Sequence, residues 1–105
     1  MFTQTSRPAV QEPVRNADGE SLAFDGVDLE QLAQRIPTPF HAYSATAIRQ
    51  RIEGLQSALS GLDATICYAV KANPNLAILQ LMANAGVGAD IVSVGELRRA
   101  LHAGI

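Results

Sequence analysis

A chain of 105 residues is one small domain or part of a larger one, and 48% hydrophobic residues are enough to build a core. Eight basic and ten acidic residues give a net charge of −2 without a basic cluster, so we expect no nucleic-acid partner. The apolar stretches are shorter than the about 18 residues of a membrane span, and the amino terminus lacks the apolar core of a signal peptide. The default expectation is a cytoplasmic protein with no membrane partner.

Composition and periodicity divide the chain into three segments. Residues 1–19 contain prolines and polar residues without apolar periodicity, which predicts a flexible tail. Residues 20–43 contain short apolar runs separated by turn signals. From residue 44 to residue 105, helix-like and strand-like patterns alternate regularly, as in α/β proteins.

The middle segment predicts a strand, a helix and a second strand. Leu22–Phe24 is a short apolar run that ends at the turn signal Asp25-Gly26, and Asp28 is expected to cap a short helix. That helix has an inner face of Leu29, Leu32, Ala33 and Ile36. Residues 40–43 predict the second strand, in which His41 is more often an ordinary strand residue than a metal ligand, and no metal site is expected.

The last segment opens with an amphipathic helix. Ser44 is expected to cap it and Gly61 to end it. Its apolar stripe is Ile48, Ile52, Leu55 and Leu59.

A buried strand and a lysine follow. Residues 65–70 are apolar without polar alternation, which predicts a strand buried on both faces with Cys67 in the core. Lys71 comes directly after it. Residues 72–75 break the strand, so the lysine is expected at the carboxyl end of a strand, the edge at which α/β proteins build active sites.

Lysine chemistry offers two interpretations of Lys71. An ordinary lysine amine, with a pKa of about 10.4, is a poor nucleophile, but apolar walls or a second cation lower its pKa and allow it to condense with an aldehyde. Lys71 is therefore a candidate carrier of an aldehyde cofactor. From the spacing alone, a lysine that simply extends from the strand end into water is the commoner case.

A second strand and helix repeat the pattern. A helix is expected from about Asn75 to Gly86, and residues 89–92 predict the second strand. Ser93 and Glu96 then have the spacing of a capping box at the start of a helix that ends at Gly104. Strands separated by helices and short loops are expected to pair in parallel.

Two sequence motifs of the chain resemble those of a known family. The sequences YAVKANPN, from Tyr68, and GADIVSVGEL, from Gly88, are similar to the first two barrel motifs of the diaminopimelate decarboxylase family. These are pyridoxal-phosphate enzymes with an alanine-racemase-like barrel. The lysine motif also occurs in ornithine and arginine decarboxylases. Two residues depart from the family pattern, which usually has an aromatic residue in place of His41 and a glycine in place of Val94.

The resemblance implies a fold. Residues 44–105 would be the first two βα units of a (β/α)8 TIM-type barrel, and residues 20–43 a lead-in segment associated with a β-domain that these residues do not contain. By the family pattern, the glycine-rich phosphate loop and the acidic partner of the pyridine nitrogen also lie outside the chain. This predicts an amino-terminal fragment of a longer enzyme, a homodimer when full length.

The resemblance also implies a function and a site. Pyridoxal 5'-phosphate would be bound covalently by Lys71, the expected catalytic residue, and Asp90 would lie near the cofactor and the lysine. The reaction would be decarboxylation of the small amino acid meso-diaminopimelate to lysine, and the fragment alone is expected to be inactive. The alternatives are a non-catalytic pyridoxal-phosphate-binding barrel protein, an ornithine- or arginine-type decarboxylase, and an inert truncated product.

Overall fold

The structure, a computed structural model, describes residues 14–15, 19 and 21–105 of the chain. The chain divides into two compact units, residues 1–50 and residues 51–105. Most of the predicted flexible tail, residues 1–19, lies outside the described residues.

The first unit contains a small antiparallel sheet. Its strands are β1 (Val14–Arg15), β2 (Leu22–Phe24) and β3 (Val27–Asp28), in the order β1-β2-β3. The sequence predicts β2 but neither of its partners. Asp25 and Gly26 connect β2 to β3 with φ angles of 51° and 74°. Two positive φ values are what a type I′ hairpin turn requires, and aspartate and glycine tolerate them best, which confirms the turn signal.

Helix α1 (Leu29–Arg35) begins at its predicted cap. The Asp28 carboxylate accepts hydrogen bonds from the backbone N–H groups of Glu30 and Gln31 at 2.9 and 3.0 Å. The predicted inner face is only partly covered, because Leu29 and Leu32 are half-buried whereas Ile36 is exposed.

The predicted strand at residues 40–43 is wrong. Among the described residues this segment pairs with no other strand, and a strand exists only where a neighbour completes its hydrogen-bond ladder. The rings of His41 and Tyr43 stack with their centroids 6.2 Å apart. Both side chains are exposed.

Helix α2 (Ala45–Ala58) begins in the first unit and continues into the second. Its predicted cap is confirmed, because Ser44 Oγ accepts a hydrogen bond from the N–H of Ala47 at 2.9 Å. The same hydroxyl donates to the carboxylate of Asp25 at 2.6 Å, and Asp25 also accepts from the N–H of Thr46 at 3.2 Å. The hairpin turn thus supplies an anion to the start of the helix, where the helix dipole favours negative charge.

The second unit is built on two parallel strands. They are β4 (Cys67–Ala69) and β5 (Gly88–Asp90), paired in the register Cys67 to Gly88, Tyr68 to Ala89 and Ala69 to Asp90. Helix α3 (Leu76–Asn84) connects them and helix α4 (Val94–Ala103) follows β5. The predicted parallel pairing is therefore confirmed, although both strands are shorter than predicted.

The prediction that the first of these strands is buried on both faces is wrong. Burial alternates from Thr65 to Tyr68, because Thr65 and Cys67 are exposed whereas Ile66 and Tyr68 are half-buried; Ala69 is also half-buried and Val70 is fully buried. This alternation has the period of a strand that is covered on one face. Cys67 consequently lies on the uncovered face and not in the core.

The core of the second unit lies on the covered face of the sheet. Val70 and Leu79 are fully buried, and Val87 is 3% exposed. The other buried apolar side chains are Ile52, Ile78, Met82 and Ala100.

No helix in the described part of the chain is long and apolar enough to cross a membrane.

Replacing Asp25 by asparagine tests the link between the hairpin and α2. The hydrogen bond from Ser44, aided by Thr46 and by the charge of Arg49, lowers the pKa of Asp25 below its ordinary value of 3.8. A carboxylate with a lowered folded-state pKa stabilises the protein above its unfolded pKa, and this contribution is lost as the pH falls through the folded pKa.

Asp25→Asn should therefore lower the melting temperature of the full-length protein at neutral pH, and the difference from wild type should shrink below about pH 4. Asparagine retains the turn, since it also tolerates positive φ. Thermal unfolding monitored by circular dichroism across this pH range measures the effect, with the exposed Asp63→Asn as a control. An Asp25→Asn difference that is independent of pH would contradict the argument.

The 105-residue chain by itself should associate in solution. Several large apolar side chains are more than 60% exposed, namely Leu62, Val92, Val94 and Leu101. Exposed apolar surface of this kind favours self-association. Sedimentation velocity at micromolar concentration should detect oligomers or aggregates, and Leu101→Glu should reduce them. A monomer with a cooperative thermal transition and a dispersed amide spectrum would refute this expectation.

Candidate active site

Lys71 and Asp90 lie at the same edge of the parallel sheet. Ala69, the last residue of β4, is the register partner of Asp90, the last residue of β5. Neighbouring strands lie about 4.8 Å apart, so the two carboxyl ends are close together. Lys71 follows Ala69 by two residues. The structure therefore brings the two predicted site residues to one edge, with both side chains exposed.

The local structure around Lys71 differs from the prediction. The strand ends at Ala69, and Val70–Ala72 forms a single turn of 3-10 helix that carries the lysine in its middle. Val70 has no exposed surface. The buried side chain directly before Lys71 therefore anchors the turn to the core, while the amine of Lys71 faces solvent.

Small side chains line the uncovered face beneath this edge. Cys67 and Ala69 alternate with the covered residues of β4, and Gly88 and Asp90 are their partners in β5. A Cβ atom at Gly88 would lie 3.1 Å from Cys67 Sγ, so a side chain there would displace the sulfur. Because Gly88 has no side chain, no group protrudes from this face of the sheet at that position.

Side-chain hydrogen bonds shape the loop that follows Lys71. Tyr68 Oη donates to the carbonyl oxygen of Asn73 at 3.2 Å. Asn73 Oδ1 accepts from the N–H of Asn75 at 3.1 Å, and Asn75 Oδ1 accepts from the N–H of Ala77 at 2.9 Å. The second asparagine is thus the cap of α3, and the first is an Asx turn that leads into it.

The start of α4 carries a variant of the predicted capping box. Ser93 Oγ accepts from the N–H of Glu96 at 3.1 Å, as expected. Glu96 Oε2 accepts from the N–H of Val92 at 2.7 Å, one residue before the N–H that a capping box uses. Glu96 therefore satisfies a backbone donor in the loop after β5, and Ser93 satisfies one at the start of α4.

Sequence reasoning missed three residues that organise this edge: Tyr68, Asn73 and Arg99. A tyrosine in a strand next to the core needs a partner for its hydroxyl, which is a usable signal, and an asparagine before proline is a turn signal. Arg99 donates from Nη1 to the carbonyl oxygen of Pro74 at 3.3 Å. No local pattern indicates this contact, because the two residues are 25 positions apart.

A cleft elsewhere in the second unit lacks reactive groups. It has a volume of about 240 Å³ and is lined by Gln56, Leu59, Ala64, Thr65, Ile66 and Gly86. Thr65 and Ile66 precede β4, so the cleft lies at the opposite end of this strand from Lys71. None of its lining residues is titratable, and we therefore place the candidate active site at the Lys71 edge.

Comparison with known families gives a match over all of α2 and all of the second unit. The family described as pyridoxal-dependent decarboxylase, pyridoxal binding domain, matches residues 45–105. Among curated proteins, the diaminopimelate decarboxylase of Helicobacter pylori strain J99 is 51% identical over 76 residues, which is 72% of this chain and 19% of that protein. The diaminopimelate decarboxylase of Aquifex aeolicus is 50% identical over 88 residues, 84% of this chain and 20% of that protein.

Solved structures show the same similarity. A protein from Aquifex aeolicus superposes with a TM-score of 0.76 at 48% identity, covering 81% of this chain and 21% of its own. Diaminopimelate decarboxylase from Helicobacter pylori, complexed with L-lysine, superposes with a TM-score of 0.70 at 48% identity, covering 73% and 20%. The chain thus spans about a fifth of the length of the proteins that it matches.

Removing the Ser93 hydroxyl tests whether this residue acts only as a cap. Ser93→Ala in the full-length protein should lower the free energy of unfolding by about 1 kcal/mol, the usual cost of a lost cap, and leave turnover near wild type. Urea denaturation and steady-state kinetics measure the two effects. Ser93→Thr, which retains a capping hydroxyl, should be close to wild type. A large loss of activity in Ser93→Ala would mean that Ser93 also touches a ligand.

Proposed function

Because the chain belongs to the pyridoxal-dependent decarboxylases, through their pyridoxal binding domain, we propose that it is part of an enzyme that decarboxylates meso-diaminopimelate to lysine. On this proposal residues 44–105 are the first two βα units of a (β/α)8 barrel. The parallel pairing of β4 with β5 supports it, as does the family match that begins at residue 45. Residues 20–43 are then a lead-in segment associated with a β-domain.

The observation that carries the proposal is the position of Lys71. It is the only lysine of the 105 residues, and it lies just after a strand whose carboxyl end meets that of its parallel neighbour. In parallel α/β folds substrates and cofactors bind at this edge. A primary amine at this position is the group needed to hold an aldehyde cofactor covalently.

The residues present fit pyridoxal 5'-phosphate. The Lys71 amine is exposed, the side chains beside it on the uncovered face are small, and the Asp90 carboxylate lies at the same edge. When bound, the cofactor supplies an electron sink for the charge left as carbon dioxide departs.

The chain's own residues then have separate roles. Lys71 Nζ would hold the cofactor and, when free of it, would be the group able to carry a proton at this edge. The Asp90 carboxylate, at the same edge of the sheet, would lie near the bound cofactor. Val70 and Tyr68 fix the turn on which the lysine is carried, through burial and through the hydrogen bond to Asn73.

The relatives indicate the substrate. The curated proteins reported above are diaminopimelate decarboxylases, and solved enzymes of that name from Helicobacter pylori and from m. jannaschii are complexed with L-lysine. A small amino acid is therefore the proposed ligand, with lysine as product. This favours the diaminopimelate branch over the ornithine and arginine decarboxylases. A homodimer and a cytoplasmic location stay predictions.

Trapping the cofactor on the protein tests the function. In the full-length protein, borohydride reduction followed by peptide mapping should place the cofactor on Lys71. Lys71→Ala should abolish the visible absorbance of the bound cofactor and lower turnover by about 10³-fold or more, since it removes both the attachment point and a positioned proton carrier.

Lys71→Arg is the matched control for charge. It keeps a cation at the same position but should fail equally, because a guanidinium stays protonated and does not condense with an aldehyde. A label on another lysine, or near-normal turnover in Lys71→Ala, would show that the proposed function is wrong.

A further inference from the structure

Two consecutive carbonyl groups after Lys71 are each held by a side chain. The carbonyl oxygen of Asn73 accepts from Tyr68 Oη, and that of Pro74 accepts from Arg99 Nη1. Both carbonyls lie in the short loop between the 3-10 turn and α3. The backbone on the carboxyl side of Lys71 is therefore fixed by side chains from elsewhere in the second unit.

The two donors come from different parts of this unit. Tyr68 belongs to β4, the strand that leads into Lys71. Arg99 belongs to α4, the helix that follows β5 and its terminal residue Asp90. The Arg99 hydrogen bond therefore joins α4, the helix that follows Asp90, to the loop that follows Lys71.

The Arg99 guanidinium extends from a firmly placed helix. Its neighbour Ala100 is 3% exposed, and Ser93 caps the amino end of α4. At the other end Gly104 has a φ of 96° and its N–H bonds the carbonyl of Leu101 at 3.1 Å, so the helix is closed at both ends. Because α4 is fixed in this way, the Arg99 side chain can hold the loop after Lys71 in one position.

We infer that Arg99 is a positioning residue that sets the Lys71 turn relative to Asp90. The inference rests on the proposed function, because it assigns the contact a consequence for cofactor binding and turnover. Loss of the guanidinium frees the carbonyl of Pro74 and loosens the loop that follows Lys71. The Lys71 amine then occupies positions away from the reacting atoms, and such a misplacement lowers turnover.

Three variants of the full-length protein separate the hydrogen bond from the charge. Arg99→Ala removes both. Arg98→Ala removes the same charge from the adjacent, exposed position of α4, whereas the hydrogen bond to Pro74 comes from Arg99. Arg99→Lys keeps the charge and one donor group but loses the planar fork of the guanidinium.

Hydrogen exchange provides a readout that does not depend on activity. The amides of residues 70–73 and 75 should exchange faster in Arg99→Ala than in wild type, both with and without cofactor, while those of residues 51–58 in α2 should be unchanged. Turnover should fall by about tenfold, within the range that misplacement of reacting groups produces. Borohydride should still place the cofactor on Lys71. Arg98→Ala should match wild type in every measurement, and Arg99→Lys should lie between the two.

The results that overturn the inference differ from those that overturn the function. If Arg99→Ala and Arg98→Ala behave alike in exchange and turnover, Arg99 does not position the turn. Faster exchange throughout the second unit in Arg99→Ala would also overturn it, because the effect would then be general destabilisation. Absence of the label from Lys71 in the wild-type protein would instead refute the proposed function, and the role of Arg99 with it.

Discussion

The parallel pairing of β4 with β5 is the constraint on which the rest of the second unit depends. The register places Ala69 opposite Asp90, and this alone brings the lysine turn and the aspartate to one edge. A slip of one residue would turn every side chain of a strand to the other face of the sheet. Val87 would then leave the core, and Asp90 would point into it. The hydrophobic pattern and the position of the candidate site are therefore set by the same pairing.

The second general feature is that polar side chains close the ends of the helices. Asp28 caps α1, Ser44 caps α2, Asn75 caps α3 and Ser93 caps α4. Free backbone donors at a helix start need such partners, and these residues supply them without long-range help. The cap of α2 is extended by Asp25, which belongs to the hairpin of the first unit. Local chemistry therefore fixes where each helix begins.

What the sequence predicts well is the part of the structure that depends on such local chemistry. The Asp25-Gly26 turn and the cap at Ser44 are properties of a few neighbouring residues, and both are confirmed. The parallel pairing also follows, because short loops on either side of a helix leave few alternatives.

What the sequence predicts poorly depends on neighbours that are distant in the chain. Residues 40–43 have strand-like composition but no pairing partner among the described residues. Cys67 lies in an apolar run, yet only one face of its strand is covered. At the candidate site, the repeat predicts that the ends of the two strands share one edge, and the resemblance predicts Asp90 near Lys71. The bond from Arg99 to Pro74 depends on how α4 packs and has no signature in the sequence.

The close approach of Gly88 to Cys67 has a consequence for how the sequence can vary. A Cβ at position 88 would lie 3.1 Å from the sulfur, whereas position 67 tolerates a smaller residue without penalty from this contact. An alanine at position 88 thus becomes acceptable once position 67 has lost its sulfur. The two positions are therefore coupled by volume: a Cβ at position 88 requires the Cys67 sulfur to shift by a few tenths of an ångström, and a smaller residue at position 67 removes that requirement.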